Sequence, residues 1–227
     1  MNNKITRAMI LAAGRGERLR PLTDSTPKPL IEVGGKKLIE YHIENLAAAG
    51  ISDIVVNTAW LGTQIHAALG DGTRYGVRIR YSDEGVALET AGGIIRALPL
   101  LGEKFIVVNG DIWCDFDFSN WTEKKLRTQA HLLLVDNPDH NASGDFGIEQ
   151  DLLTNTGSAM YTYSGIGIYT AEFFSNMPDG KAALAPIIRD KNRQGLISAE
   201  HYTGKWTDVG TIERMQQLDD ELGGNHH

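Results

Sequence analysis

A short stretch near the start of the chain combines glycines with positively charged side chains. Gly14 and Gly16 flank Arg15, Arg18 follows two residues later, and Lys28 stands between two prolines. Glycines let a backbone turn tightly and point its N–H groups at a ligand. Backbone N–H groups, guanidinium groups and an ammonium group are together the donors that bind phosphate oxygens. The stretch therefore predicts a nucleoside triphosphate site.

This stretch differs from two widespread phosphate-binding motifs. The dinucleotide fingerprint requires a third glycine where this chain has Leu19, and the P-loop requires a Gly-Lys-Ser or Gly-Lys-Thr sequence that this chain lacks. The alternative is an ordinary strand-to-helix turn with surface charges. Three basic side chains within one loop punctuated by glycine and proline favour phosphate binding over that alternative.

Carboxylates that could hold a metal ion follow the most apolar strand predicted in the chain, 104–111. Asp111 lies at the carboxyl end of that strand, which is where open α/β sheets bind their ligands. Because hard cations prefer oxygen ligands, Asp111 is predicted to bind Mg²⁺; capping of the next turn is the alternative. Asp115 and Asp117 form a rival Asp-x-Asp pair several residues beyond the strand end.

The composition excludes several classes of protein. The 227 residues include 22 basic and 29 acidic side chains, and this net charge of −7 argues against nonspecific binding of nucleic acid. Cys114 is the only cysteine, so an internal disulfide and a cysteine-based zinc site are excluded. No apolar stretch is long enough to span a bilayer and no signal-peptide pattern precedes the first strand, so we expect a cytoplasmic protein without a membrane partner.

Apolar runs and helical periodicities alternate along the first half, which predicts a mostly parallel sheet with helices on both faces. The predicted strands there are 8–13, 53–57, 77–81, 104–111 and 130–135, and the helices are 37–49, 61–69 and 90–98. The second half is predicted to contain strands 144–149, 161–169 and 195–202, a polar connection 151–158, and helices 182–192 and 212–222. We expect one domain, 1–222, whose second half folds over the sheet edge, and a tail, 223–227.

The motifs of both halves together resemble the sugar-1-phosphate nucleotidyltransferase family. The signature of that family is matched by Gly-Arg-Gly-Glu-Arg-Leu-Arg-Pro-Leu-Thr at 14–23 and by Pro-Lys-Pro-Leu at 27–30. Its Gly-Asp matches 110–111, and its Trp-x-Asp-x-Gly-Thr matches 206–211. The resemblance implies that Asp111 and Asp208 hold Mg²⁺, whereas the sequence by itself leaves Asp208 open between ligand and helix cap. It also implies an α/β, Rossmann-like three-layer fold around a central mixed, mostly parallel sheet.

The same resemblance implies that a sugar 1-phosphate attacks the α-phosphorus of a nucleoside triphosphate and that pyrophosphate leaves. Arg18, Lys28 and Asp111 are the expected catalytic residues. Arg18 would bind the β- and γ-phosphates with the backbone of the glycine loop, and Lys28 would stabilise charge at the α-phosphate. The expected nucleotide-binding residues are Ala12, Ala13, Gly14, Gly16, Arg18, Lys28, Asn57, Glu84, Gly85 and Asn109.

Within the family, the resemblance is greatest to uridylyltransferases that act on N-acetylmuramate 1-phosphate in peptidoglycan recycling, through segments such as 88–93 and 144–146. It implies a nucleotide-binding core, 1–140, and a sugar-phosphate-binding part, 141–222. Many relatives bind the sugar and its phosphate with a Glu-Lys-Pro element, but 150–163 contains neither Glu nor Lys, which leaves Lys181 and Arg189 as candidate replacements. The expected sugar-binding residues are Asp145, Phe146, Gly147, Gly165 and Lys181.

Three other functions remain open at this point. A mannose-1-phosphate guanylyltransferase or a glucose-1-phosphate thymidylyltransferase would use the same site with another base or sugar. A glycosyltransferase would use a ready-made nucleotide sugar, with the metal at Asp115 and Asp117. A nucleotide-sugar sensor subunit would keep the fold without catalysis, although such chains often lose the lysine and the aspartates that this chain retains at 28, 111 and 208. We expect a monomer or a weak homo-oligomer.

Overall fold

Nine strands form one mixed sheet in the computed structural model, which describes residues 4–223; most of the expected tail, 223–227, therefore lies outside the described residues. The strands are β1 Arg7–Leu11, β2 Glu32–Val33, β3 Lys36–Lys37, β4 Asp53–Thr58, β5 Arg78–Asp83, β6 Lys104–Asn109, β7 Ile112–Cys114, β8 Ala130–Val135, β9 Gly147–Glu149, β10 Leu152–Thr154, β11 Thr162–Thr170, β12 Ile197–Tyr202 and β13 Trp206–Asp208. The α-helices are α1 Leu22–Ser25, α2 Leu38–Ala48, α3 Gly62–Leu69, α4 Glu89–Leu101, α5 Ser119–Thr122, α6 Leu184–Arg193 and α7 Ile212–Glu221.

The strand order in the large sheet is β5-β4-β1-β6-β11-β8-β12-β10-β9. The four strands at its β5 end pair in parallel, and only β10 and β11 run opposite to the other strands of the sheet. The helices between the parallel strands supply the crossovers that such pairs require. The predicted mixed, mostly parallel sheet is thereby confirmed, and the carboxyl ends of β1, β4, β5 and β6 share one edge.

Two apolar cores, one on each face of the sheet, make the three layers. Consecutive residues of β1 belong to opposite cores. Ala8 and Ile10 lie in the core with helices α2 and α3, whereas Met9 lies in the core with α4 and α6. All three side chains are fully buried. This explains why the first strand is apolar without alternation, since a strand covered on both faces has no solvent side. Among residues 4–223, no helix is both long and apolar enough to cross a bilayer.

The second half differs from its predicted placement. Its strands β9 to β12 belong to the large sheet instead of folding over its edge, because β11 pairs with β6 along one side and with β8 along the other. The connection predicted at 151–158 contains strand β10, where Leu153 is buried between the exposed Leu152 and the half-buried Thr154. A single alternation of that kind is too short to distinguish a strand from a loop by sequence.

A small ribbon outside the large sheet was also not predicted from the sequence. Strands β7 and β13 pair antiparallel, with Asp208 opposite Ile112. The backbone N–H of Val209 then donates to the carbonyl of Asp111 at 2.9 Å. This ribbon brings two aspartates together at the edge where β1 and β6 end, although they stand far apart in the chain.

Candidate active site

The first glycine loop leaves the end of β1 and is fixed there from two sides. The backbone N–H of Ala12 donates to Asn57 Oδ1 at 2.7 Å, which ties the loop to the end of β4. Gly16 has φ +68°, a left-handed conformation that glycine adopts without strain. Its carbonyl accepts a hydrogen bond from Thr23 Oγ1 at 2.9 Å. The loop is therefore held open beside the sheet edge by neighbouring elements.

Lys28 reaches the end of the neighbouring strand. Its side chain is 8% exposed, and its Nζ lies 3.0 Å from Oδ2 of Asp111, which stands two residues beyond β6. Gly110 makes that approach possible, because a Cβ there would lie only 2.4 Å from the carbonyl oxygen of Leu11. The lysine and aspartate that the sequence predicted as separate site residues thus form one ion pair.

A second buried pair joins the end of β4 to the loop that follows β5. Asn57 Nδ2 donates to Glu84 Oε1 at 2.6 Å, and the other carboxylate oxygen of Glu84 accepts from the backbone N–H of Leu88 at 2.8 Å. Asn57 and Glu84 are 2% and 8% exposed. Gly93 on helix α4 leaves the space they need, since a Cβ there would lie 2.5 Å from Glu84 Oε1. Both polar groups of Asn57 are used within the protein, so this pair holds the loops in position.

Asp208 forms an ion pair with Arg214 and lies beside the imidazole ring of His140. Its Oδ2 lies 3.0 Å from Arg214 Nη1 and 3.1 Å from His140 Nε2, and its side chain is 18% exposed. Thr211 caps helix α7 by accepting from the N–H of Arg214, which places that arginine one turn into the helix. A Cβ on Gly210 would lie within 3.0 Å of Arg18, Arg214 and Asp208 atoms alike. The N-terminal loop and the last helix therefore meet at this glycine.

The two aspartates of the rival Asp-x-Asp pair, Asp115 and Asp117, form hydrogen bonds with residues outside the cavities of this site. Asp115 accepts a hydrogen bond from the hydroxyl of Tyr202 at 2.5 Å. Asp117 accepts from the N–H and the hydroxyl of Ser119 at 2.9 and 2.8 Å, and these bonds hold its carboxyl pKa below the ordinary value. Neither aspartate lines the cavities described next. The geometry does not bring this pair to the glycine loop.

Three adjoining cavities meet at Asn109, which lines all of them. The nucleotide cavity, of about 430 Å³, contains Asp111 and most of the predicted nucleotide-binding residues: Ala12, Ala13, Gly14, Gly16, Arg18, Lys28, Asn57, Glu84 and Asn109. The acceptor cavity contains Arg18, Asp111, His140 and Asp208. The side cavity contains Glu89, Thr90, Asp145, Phe146, Tyr163 and Arg189. Arg18 and Asp111 border the first two, and Glu89 borders the first and third.

Four predicted site residues do not line these cavities: Gly85, Gly147, Gly165 and Lys181. Gly165 instead packs against Asn109 and leaves room for its side chain, because a Cβ at position 165 would lie 2.6 Å from Asn109 Nδ2. It has φ +83° and interrupts the register of β11, as glycine at a β-bulge commonly does. Lys181 contacts the side cavity through Glu89, with 3.3 Å between Nζ and Oε1.

The donor set fits a hard divalent cation. Asp111 and Asp208 both line the acceptor cavity and offer only oxygen atoms. No cluster of three or more metal-binding side chains occurs between residues 4 and 223. Two carboxylates completed by phosphate oxygens of a substrate are a common arrangement for Mg²⁺, which demands few protein ligands. The residues present therefore suit a metal that is shared with the substrates.

Sequence reasoning missed His140, Glu89, Thr90 and Tyr163 as residues of these cavities, and it missed Arg214 as the partner of Asp208. The helix with Arg214 follows the strand that pairs with β7, whereas the loop with His140 follows β8, and the two meet at Asp208. One signal was present for Glu89 and Thr90, because they open helix α4 directly after the loop with Glu84. An N-terminal helical turn beside a phosphate-binding loop commonly faces the ligand.

Comparisons with known proteins agree with this geometry. A family model described as nucleotidyl transferase matches residues 7–151. An N-acetylmuramate alpha-1-phosphate uridylyltransferase of Neisseria meningitidis serogroup B is 52% identical, over 93% of this chain and 96% of that protein. The enzyme of the same name from Caulobacter vibrioides is 34% identical, over 89% and 91%. A solved structure of a candidate glucose-1-phosphate thymidylyltransferase from Bacillus anthracis has a TM-score of 0.86 at 24% identity, over 97% and 96%, and so shares the fold.

Proposed function

This chain belongs to the nucleotidyl transferase family, and we propose that it makes a UDP-sugar and pyrophosphate from UTP and N-acetylmuramate 1-phosphate. The observation that carries the proposal is the position of the Lys28–Asp111 ion pair, since Asp111 borders both the nucleotide cavity and the acceptor cavity. A reaction that joins two phosphates needs charged groups at such a junction. The near full-length similarity to two proteins named N-acetylmuramate alpha-1-phosphate uridylyltransferase supports the choice of substrates.

The proposed reaction is an in-line attack by the sugar phosphate on the α-phosphorus of UTP. The nucleophile is already an anion, so no general base is required. The obstacle is the repulsion between two polyanions, and catalysis consists mainly of positioning and charge neutralisation. Lys28 stabilises charge at the α-phosphate. Arg18, at the border of the two cavities, binds the departing pyrophosphate together with the N–H groups of the glycine loop.

Members of this family generally use a divalent metal, and we take it to be Mg²⁺ held by Asp111 and Asp208. When bound, the ion would neutralise charge on the triphosphate and the sugar phosphate. Arg214 and His140 sit on the Asp208 carboxylate at 3.0 and 3.1 Å. Arg214 balances the charge of that carboxylate, and His140 lines the acceptor cavity, where it would contact an incoming phosphate.

Base recognition rests on backbone atoms in this proposal. Asn57 and Glu84 bond to each other and to the N–H groups of Ala12 and Leu88. They act as positioning residues that set the distance between two loops, and the uracil edge would meet the backbone from Ala12 to Gly14.

A screen for pyrophosphate release tests the proposal. UTP, dTTP, GTP and CTP are each combined with N-acetylmuramate 1-phosphate, glucose 1-phosphate and mannose 1-phosphate in the presence of Mg²⁺. We expect the highest kcat/KM for UTP with N-acetylmuramate 1-phosphate. Release from a different pair alone would contradict the substrate assignment, and release from no pair would favour a sensor subunit.

A further inference from the structure

One positively charged side chain faces the side cavity without an anionic partner. Arg189 lies on helix α6, directly after the buried Ile188, and its guanidinium carbon is 4.9 Å from the centroid of the Phe146 ring. Its Nη1 is 3.5 Å from the carbonyl oxygen of Asp145. A guanidinium stacked on an aromatic ring keeps its edge free, and that planar edge matches a carboxylate with two parallel hydrogen bonds.

The other charges of this cavity are already used. Glu89 is paired with Lys181, which lies outside the cavity wall. The Asp145 carboxylate accepts the backbone N–H of Tyr163 at 2.9 Å. Arg189 makes no ion pair with any carboxylate among residues 4–223. The rest of the wall is mainly apolar around Leu184, Ile188 and the Phe146 ring, and it also includes the uncharged polar residues Thr90, Asn109 and Tyr163. The side cavity thus offers one cation that has no carboxylate partner, beside a mainly apolar part of the wall.

We infer that Arg189 binds the lactyl carboxylate of N-acetylmuramate 1-phosphate and so selects this sugar over N-acetylglucosamine 1-phosphate. The inference rests on the proposed function. The two sugar phosphates differ only in the lactyl ether, which adds one carboxylate and a methyl group. The side cavity adjoins the reaction junction at Asn109, so a sugar whose phosphate lies at that junction can place its ring substituents against helix α6. The apolar wall accommodates the methyl group, and Arg189 accepts the carboxylate.

The test measures kcat/KM for both sugar phosphates with UTP, in wild type, Arg189→Gln and Arg189→Lys. Removal of a charge-assisted hydrogen bond should lower kcat/KM for the lactyl sugar by about 10- to 100-fold. The kcat/KM for N-acetylglucosamine 1-phosphate should change little by comparison, so the preference of the enzyme for the lactyl sugar should fall by about 10- to 100-fold. Lysine keeps the charge but not the planar fork, and it should restore part of the preference. Arg193→Gln is the matched control, because Arg193 lies on the same helix and pairs with Asp190 on the surface.

A substrate without the lactyl charge tests the same contact from the side of the ligand. The methyl ester of the lactyl group removes the same charge from the sugar, so wild type should handle the ester much as Arg189→Gln handles the acid. The two changes together should cost little more than either one alone. Equal losses on the acid, the ester and the unsubstituted sugar would overturn the role of Arg189.

Failure of the proposed function gives a different result. Wild type would then release no pyrophosphate from N-acetylmuramate 1-phosphate, and the selection of that sugar by Arg189 would be refuted with it. A loss of preference in Lys181→Gln instead of Arg189→Gln would overturn the assignment to Arg189 while leaving the function intact. Circular dichroism and thermal unfolding of each variant separate loss of fold from loss of recognition.

Discussion

Lys28 and Asp111, 83 positions apart in the sequence, form an ion pair with 3.0 Å between Nζ and Oδ2. The two partners differ in exposure: the lysine side chain is 8% exposed, and the aspartate side chain is 44% exposed. The lysine is thus held in place by the protein, while the second carboxylate oxygen of the aspartate faces the cavities. This asymmetry suits a cation that must stay fixed beside an anion that can also meet a metal ion.

Loss of the lysine should remove a charge positioned for the reacting phosphate. We predict that Lys28→Ala lowers the rate of pyrophosphate release by roughly 100- to 1,000-fold, as is typical when a preorganised charge contact is removed. Lys36→Ala is the control, because Lys36 pairs with Glu44 at the surface. Steady-state kinetics at saturating Mg²⁺ make the comparison, and near-normal turnover would exclude Lys28 from the mechanism.

The choice between the two aspartate pairs can be tested through metal dependence. In Asp208→Asn we expect the Mg²⁺ concentration for half-maximal activity to rise at least tenfold, because one of two protein ligands is weakened. Asp115→Asn should leave it within a factor of two, since that carboxylate bonds to Tyr202 outside the cavities. Mn²⁺ binding followed by electron paramagnetic resonance gives a readout independent of turnover. The opposite ranking would move the metal to the Asp115 pair.

Gly93 tests whether the Asn57–Glu84 pair sets the nucleotide loops. Alanine favours a helix over glycine by about 1 kcal/mol, so Gly93→Ala should not weaken α4 itself. The new Cβ would lie 2.5 Å from Glu84 Oε1 and 2.8 Å from Asn57 Nδ2, which forces the pair apart. We expect KM for UTP to rise about tenfold or more. Arg96→Ala, on the exposed face of the same helix, should leave KM unchanged. Equal KM values in all three proteins would contradict the role of the pair.

Glu200, on strand β12, should make the free energy of unfolding depend on pH. Burial disfavours its charge, but hydrogen bonds from His131, Lys124 and Trp121 outweigh that effect and lower its pKa to about 2. A carboxyl with a lowered pKa stabilises the fold above its ordinary pKa of 4.5, and this stability is lost as the pH falls toward 2. Glu200→Gln should therefore lower the free energy of unfolding at pH 7 by about 1–2 kcal/mol.

Urea unfolding of Glu200→Gln and wild type at several pH values provides the measurement. The difference between the two proteins should shrink steadily below pH 5, because unfolded wild type then binds a proton at this carboxyl while the folded protein does not until the pH approaches 2. Asp190→Asn is the control, since its surface pair with Arg193 at 3.7 Å should contribute less than about 0.5 kcal/mol. A difference that stays constant down to pH 3 would show that hydrogen bonding to the charged form is not its source.

Much of this site could be predicted from local sequence. The apolar run of β1 and the glycines after it indicate a loop at a strand end, and the strand before Asp111 indicates the same edge of the same sheet. Parallel strands align their carboxyl ends, so the two features were expected to be neighbours. Family membership was confirmed because the motifs that carry it are contiguous in the sequence. The mixed, mostly parallel sheet was confirmed because its central strands are uninterrupted apolar runs.

What the sequence by itself determined is the chemistry: a loop of backbone N–H groups, one lysine and one aspartate at a sheet edge suit phosphate and metal. The tertiary structure decided which distant groups meet there. Asp208 arrives through the pairing of two three-residue strands, and Arg189 through a helix that packs on β10 and β12. Strands that short carry too little periodicity to be recognised, and an exposed arginine on a helix resembles any other. Their positions follow from long-range pairing and burial, which no local pattern contains.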